Sequence, residues 1–225
     1  MRILSIPCAV LLVFPAFGAE PLDSVLAKMD RAAASFKSMT AKIKRTAHTA
    51  AIDENHTDAG TMSMKRSRSQ DTRMLIDLTA PDAKTITLQG HTVDIYLPKI
   101  KTVQEFDVGK NRELLDQFLL LGFGSSGKDL TRAYDVTFVG EEAENGRKAA
   151  HLQLVPKSPE VLKQLKTIEL WLSDANSYPI RQKFNQPSGD YTTVTFSDLK
   201  MNPDLPDAAL KLKLPKGVKR EYPQR

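Results

Sequence analysis

From residue 41 onward the chain consists mostly of short stretches in which apolar and polar residues alternate. Alternation with a period of two, bounded by turn residues, is typical of β-strands that bury one face. An earlier stretch differs, because apolar residues between Pro21 and Phe36 recur every three or four positions and predict an amphipathic helix. The predicted strands span 41–49, 60–66, 72–78, 84–89, 92–97, 100–108, 134–139, 148–155, 167–172, 180–185 and 192–199.

The connections between these strands are short and rich in turn residues, as in Leu97-Pro98-Lys99 and Glu144-Asn145-Gly146, which favours an antiparallel meander. A sheet of about ten or eleven strands needs one face covered. The only further helical patterns, at 111–121 and 159–165, are too short to cover it all. We therefore predict a mainly β fold: an incomplete, unclosed antiparallel β-barrel with an α-helical lid. Its concave apolar face is expected to leave a cavity for an apolar ligand.

The first residues have the pattern of an export signal. A basic residue is followed by an apolar run over 3–14 and by small residues at Ala16 and Gly18, where signal peptidase requires them. No later apolar run reaches the roughly 18 residues that a transmembrane helix needs. We predict a signal peptide at 1–18 and a single exported domain over 19–225.

Composition narrows the chemistry that this domain is expected to use. The single cysteine, Cys8, lies in the predicted signal, so no disulfide is expected in the mature chain. Lysine and arginine total 32 against 27 acidic residues, and much of the excess falls in the tail over 211–225. That tail is read either as a solvated terminus or as a docking surface for anionic lipid. The basic run Lys65–Arg68 has no aromatic partner, so nucleic acid is not an expected ligand.

The segment LLDQFLLLGFGSSGKD, residues 114–129, admits two interpretations. Read from Gly122 it approaches a phosphate-binding P-loop, but Asp129 stands where the motif needs serine or threonine. A P-loop also follows a buried strand, whereas the residues before Gly122 have helical periodicity. A hydrophobic cover is therefore favoured over a nucleotide site.

On a helix, the apolar residues of this segment form one stripe, and the polar residues form the opposite one. The apolar stripe consists of Leu114, Leu115, Phe118, Leu119 and Leu121, and the polar stripe of Arg112, Glu113, Asp116 and Gln117. Leu120 falls on the polar side. The helix is either part of the core with one exposed leucine, or a mobile lid for which the glycines and serines of 122–127 supply a flexible exit.

Catalytic and metal-binding patterns are weak. The four histidines lie in different segments, and none has the i, i+4 spacing with a carboxylate that a zinc site requires. Ser125 and Ser126 are not in a nucleophile elbow, because Phe123 and Lys128 occupy its glycine positions. We therefore expect no enzyme activity, no catalytic residues, no metal and no cofactor.

Four local patterns, in the right order, resemble the LolA family of periplasmic lipoprotein carriers and its LolB and LppX relatives. They are the strand GTMSMKR at 60–66, the hairpin LQGHTVDIY at 88–96, LQLVPK at 152–157 and LPKGV at 214–218. The resemblance covers nearly all of the predicted mature chain. Ser67 replaces the family's proline, Gln89 its aspartate, and Val93 with Ile95 its hairpin aromatic, so the chain resembles a divergent member.

The resemblance implies a function and a set of partners. It implies a monomeric carrier that shields the acyl chains of a lipoprotein or lipid in an apolar cavity. The carrier would receive them from an inner-membrane donor protein and pass them to an outer-membrane acceptor, and transient contact with a membrane is compatible with this role. In the family a strand arginine hydrogen-bonds the lid, and Arg66 matches it. The alternative is a module of the same fold that senses lipid or protein in the envelope and acts through a partner.

Overall fold

The computed structural model describes residues 22–66, 72–144 and 146–224. The predicted signal at 1–18, Ser67 and Arg68 lie outside the described residues. The helices are α1 (Leu22–Ser35), α2 (Arg112–Leu119), α3 (Gly127–Ala133) and α4 (Pro159–Leu162). The strands are β1 (Ser38–Thr49), β2 (Glu54–Arg66), β3 (Thr72–Ala80), β4 (Lys84–Gln89), β5 (Thr92–Leu97), β6 (Thr102–Asp107), β7 (Tyr134–Glu144), β8 (Arg147–Pro156), β9 (Thr167–Ser173), β10 (Pro179–Asn185), β11 (Tyr191–Met201) and β12 (Lys219–Glu221).

These twelve strands form one sheet in the order β12-β6-β5-β4-β3-β2-β1-β11-β10-β9-β8-β7. Strand β1 pairs antiparallel with both β2 and β11, which joins the first meander to the second. Strand β12 runs parallel to β6, unlike the other pairs of the sheet. The two outermost strands, β12 and β7, do not pair in the described chain. The sheet is therefore not closed, which confirms the predicted open antiparallel barrel with a helical lid.

Side chains on the concave face form two apolar clusters. We call the first the leucine cluster: Val25, Met29, Leu121, Leu130, Tyr134, Ala150, Leu152, Leu154, Leu165, Ile168, Leu170 and Leu172. We call the second the methionine cluster: Phe36, Met39, Ala41, Ile43, Met62, Met64, Met74, Leu78, Leu88, Phe123, Tyr178 and Phe196. Strands β8 and β9 with α1 and α3 supply most of the leucine cluster, and β1 to β4 supply most of the methionine cluster. The two halves of the sheet thus have different linings.

Two elements differ from the prediction. Helix α3 was not predicted; it begins directly after Ser126, because Ser126 and Asp129 build a capping box that starts a helix. Strand β12 was not predicted, because its three residues are all exposed and show no alternation. Among the described helices, none combines the length and apolarity needed to cross a bilayer.

Candidate functional site

The segment over residues 112–126, called here the lid segment, lies across both apolar clusters. Leu121 is buried in the leucine cluster, and Phe118 packs against that cluster. Leu119 and Leu120 pack instead against the methionine cluster. Leu115 is half-buried, and the side chain of Leu114 is outside the described set. The predicted apolar stripe therefore contacts two different parts of the core, and Leu120 belongs with it.

Arg66 joins the lid segment to α1. Its Nη1 donates to the carbonyl of Gly124 at 2.8 Å, and its Nη2 donates to the carbonyl of Ala33 at 3.0 Å. The guanidinium carbon lies 5.5 Å from the centroid of the Phe36 ring. Arg66 follows Met62 and Met64 at a spacing of two on β2, so the three side chains share the concave face. The arginine predicted from the sequence thus lies at the rim of the methionine cluster.

A second arginine, Arg112, fastens the other end of the lid segment. It forms an ion pair with Asp116, with Nε–Oδ2 and Nη2–Oδ1 distances of 3.1 Å. It also donates to the carbonyls of Thr72, at 2.6 Å, and of Gly90. Arg112 and Asp116 are only 6% and 8% exposed. The polar stripe is therefore buried at these two residues, because β3 and the β4–β5 turn supply carbonyl acceptors for Arg112 that the helical pattern does not reveal.

The glycines that follow α2 are packed rather than open to solvent. A Cβ atom on Gly124 would lie 3.0 Å from Phe36 Cδ1 and 3.1 Å from Arg66 Nη1. A Cβ on Gly127 would lie 2.8 Å from the backbone oxygen of Leu26. Gly122 has a positive φ of 78°, and its Cβ would lie 2.9 Å from Pro179. These positions therefore require glycine for close approach of the lid segment to α1 and the sheet.

The N-terminus of α3 is already occupied by side chains of the chain itself. Ser126 accepts from the backbone N–H of Asp129, and the Asp129 carboxylate accepts from the backbone N–H of Ser126. The Ser126 hydroxyl donates to that carboxylate and, with the backbone contact, holds the pKa of Asp129 below its ordinary value. Asp30 accepts from Gly127 N–H at 2.8 Å. These contacts occupy the backbone N–H groups of Ser126, Gly127 and Asp129, which a P-loop would turn toward a phosphate.

Comparison with known proteins identifies the family to which the chain belongs. The family model described as "Outer membrane lipoprotein carrier protein LolA" matches residues 34–213. The chain belongs to the LolA family. No curated protein sequence matches the chain significantly.

Solved structures with a LolA-like fold resemble the chain at low sequence identity. An uncharacterized conserved protein from Thermus thermophilus has a TM-score of 0.55 and 15% identity, covering 89% of this chain and 98% of that one. MucB has a TM-score of 0.52 and 15% identity, with coverage of 85% and 62%. The lipoprotein LppX from Mycobacterium tuberculosis has a TM-score of 0.48 and 13% identity, with coverage of 80% and 97%. At these identities the likeness establishes the fold alone.

Within this LolA fold, His151 has structural partners. His151 lies on the outer face of β8, 2.7 Å from Glu142 and 3.1 Å from Glu169, and stacks on Trp171 with 4.2 Å between ring centroids. Trp171 Nε1 donates to Glu142 at 2.8 Å, which with the His151 contact holds the pKa of that carboxyl below its ordinary value. Across the described ranges, no group of three or more potential ligands is placed to hold a metal ion.

In this LolA-family chain, sequence reasoning found Arg66. It missed other residues that contact the lid segment at different points. Gln182 Nε2 donates to the carbonyl of Leu121 at 2.7 Å, and the Tyr178 ring stacks on the Phe123 ring with 6.4 Å between their centroids. Both contacts join residues far apart in the chain, so no local sequence pattern predicts them. The burial of Arg112 was missed for the same reason, since the carbonyls of Thr72 and Gly90 that accept from it lie on distant segments.

Proposed function

We propose that this protein is an exported carrier that shields the acyl chains of a lipoprotein or lipid beneath the lid segment. The contacts of Arg66 are the observation that carries this proposal. They join the lid segment to α1 over an apolar sheet face through two hydrogen bonds to carbonyls, at 2.8 and 3.0 Å. Neither acceptor is a charged group, so both bonds can be exchanged for water when the lid segment lifts.

Burial of apolar surface supplies the binding energy in this proposal. Each methylene removed from water contributes about 0.8 kcal/mol, so an acyl chain of ordinary length is held without any covalent step. Closure of the lid segment opposes binding of cargo to the methionine cluster, because Leu119 and Leu120 then cover that cluster themselves. Cargo therefore leaves when an acceptor offers a better site.

The proposal includes a location and partners. The predicted signal at 1–18 directs the chain to the periplasm, where residues 19–225 act as one domain and as a monomer. An inner-membrane protein donates the cargo and an outer-membrane protein accepts it. Membership of a family whose model is described as an outer-membrane lipoprotein carrier supports this assignment.

Mass spectrometry of an organic extract from the purified mature protein tests the proposal. We expect acyl lipid or lipopeptide in amounts proportional to protein, and none from a periplasmic protein of another fold purified in the same way. If gentle purification yields no acyl species, and added palmitate or lipopeptide also fails to bind, the carrier function is wrong.

A second candidate function is a binding module that senses lipid or protein and acts through a partner. The likeness to MucB favours it, because a complex of MucB with MucA is known from Pseudomonas aeruginosa. Affinity capture from the native periplasm distinguishes the two. A stoichiometric protein partner that stays bound in the absence of lipid supports the sensor, whereas lipid-dependent, transient capture supports the carrier.

A further inference from the structure

Four methionines stand side by side across four neighbouring strands of the concave face. In the sheet register Met201 of β11 lies opposite Met39 of β1, Met39 opposite Met64 of β2, and Met64 opposite Met74 of β3. Neighbouring strands are about 4.8 Å apart, so the row spans about 14 Å. We call these four residues the methionine row. The sequence holds only 7 methionines, so this alignment concentrates most of them in one place.

Methionine gives this part of the concave face a property that the leucine cluster does not have. Its unbranched side chain has three rotatable bonds and a polarizable sulfur, so it adjusts to irregular apolar surfaces. The leucine cluster is built from branched side chains, and Leu152, Leu154 and Leu170 in it are fully buried. Met39 and Met64 are buried as completely, and both clusters have partly buried neighbours, so burial does not distinguish the two halves. Side-chain flexibility does distinguish them, and it makes the methionine half the part of the core better able to repack around a guest.

One end of the methionine row is polar. Thr72 precedes Met74 by two residues on β3 and so shares its face, directly opposite Arg66 of β2. Thr72 is 0% exposed, and its Oγ1 has no hydrogen-bond partner among the described residues. A buried hydroxyl without a partner costs stability. A guest that places an acceptor beside Thr72 would remove that cost.

We propose that the acyl chain of the cargo lies along the methionine row, beneath Leu119 and Leu120, with its ester or amide carbonyl accepting from Thr72 Oγ1. This assignment rests on the proposed carrier function and specifies its binding site. The chain enters beside Thr72 and crosses Met74, Met64 and Met39 in turn. Phe118 and Leu121, which contact the leucine cluster, are core residues and do not touch the cargo.

Photo-crosslinking locates the chain directly. The full-length mature protein is loaded with a palmitoyl ester that carries a diazirine in mid-chain, irradiated and digested. We expect most of the label on peptides containing Met39, Met64 or Met74. Label on β8 and β9, which line the leucine cluster, would overturn the assignment while leaving the carrier function in place. Failure of the probe to bind at all would instead count against the carrier function.

Volume-conserving variants test the role of methionine. The variant Met39→Leu, Met64→Leu, Met74→Leu replaces three flexible side chains of the row by branched, less adaptable ones. We therefore expect binding of the palmitoyl ester to weaken about tenfold, with the fold retained. The control carries the reverse exchange in the leucine cluster, Leu152→Met, Leu154→Met, Leu170→Met, and is expected to bind as the wild type does. Equal affinity in both variants, or loss in the control alone, would overturn the proposal.

Thr72→Val tests the polar end of the site. It removes the unpartnered hydroxyl and keeps the shape, so thermal stability should be equal to or above that of the wild type. Binding of the palmitoyl ester should weaken about fivefold, which corresponds to one neutral hydrogen bond, while binding of a hydrocarbon of the same length is unchanged. Equal loss for ester and hydrocarbon, or loss for neither, would show that Thr72 does not contact the carbonyl.

Discussion

At the scale of single residues, Arg66 combines two properties that suit reversible attachment of the lid segment to α1. Its guanidinium is always charged and offers several donors in a fixed plane, so it can hold carbonyls of two different segments at once. It does so next to Phe36 and the methionine cluster, where a charged group opposes deep occupancy by apolar cargo. Under the proposed carrier function, we therefore expect this side chain to favour the closed and empty state.

Replacing Arg66 by leucine is expected to lengthen the retention of cargo. The change removes the donors to Gly124 and Ala33 and adds apolar surface at the rim of the methionine cluster. Dissociation of a bound acyl fluorophore should slow, and transfer to acceptor vesicles should slow with it, while the circular dichroism spectrum stays the same. Arg73→Leu is the matched control, because Arg73 lies on the neighbouring strand and pairs with Asp207. Equal dissociation rates in the wild type and both variants would rule out the fastening role.

A second residue-scale prediction concerns acid stability and Glu142. Because Trp171 and His151 hold the pKa of Glu142 down, the ionised carboxylate stabilises the fold above its ordinary pKa of about 4.3. That contribution is lost as the pH falls through the lower folded value. Glu142→Gln should therefore be less stable than the wild type near pH 6, and the difference should shrink below about pH 4.

Urea unfolding followed by the fluorescence of Trp171, the single tryptophan, measures this difference at each pH. Glu141→Gln is the control on the adjacent position, where the carboxylate instead meets Lys148 at 2.9 Å. A stability difference between Glu142→Gln and the wild type that does not vary with pH would contradict the assignment.

At the scale of elements, α2 shows what periodicity can and cannot reveal. The apolar spacing located the helix to within two residues at its C-terminal end, because burial of one face repeats locally along the chain. It did not reveal that Arg112 and Asp116 are buried, since the carbonyls that accept from Arg112 belong to Thr72 and Gly90 on distant segments. The strands were predicted more completely, because each depends on its own alternation and on short turns.

Breaking the buried ion pair of α2 should destabilise the protein strongly. Arg112→Met leaves Asp116 buried without its partner, which costs about 3–5 kcal/mol of unfolding free energy. Adding Asp116→Leu removes the uncompensated charge, so the double variant should recover most of that loss. Urea denaturation of the two variants and the wild type measures both effects. If the unfolding free energy of the single variant falls by less than about 1 kcal/mol, the pair does not hold the lid segment in place.

At the scale of the whole molecule, the open barrel follows from the large number of strands relative to helices, which the sequence already shows. Many strands and few helices favour a curled, unclosed sheet with the helices on its concave face, and this could be predicted because both patterns are local. The division of that face into a leucine half and a methionine half could not, because it depends on which strands become neighbours. The register that aligns Met39 with Met64 and Met74 is set by the whole sheet.

The two edges of this sheet are protected unequally, and the difference leads to a prediction about self-association. Strand β12 pairs in parallel with β6, and its Arg220 bridges Asp94 at 2.9 Å and Glu105 at 2.5 Å. An uncovered β6 would present its backbone donors and acceptors to another chain. Strand β7 carries its own protection, since it has a bulge between Phe138 and Gly140 and several acidic side chains.

Truncation after Val218 should therefore promote association through β6, because it removes β12 and Arg220 together. Analytical ultracentrifugation should show species larger than the full-length chain at the same concentration, increasing with concentration. Truncation after Glu221 is the matched control, because it shortens the chain but keeps β12, and it should behave like the full-length protein. If both truncations sediment identically to the full-length chain, β12 is not needed to cover the edge. Association of both would instead assign the effect to residues 222–225.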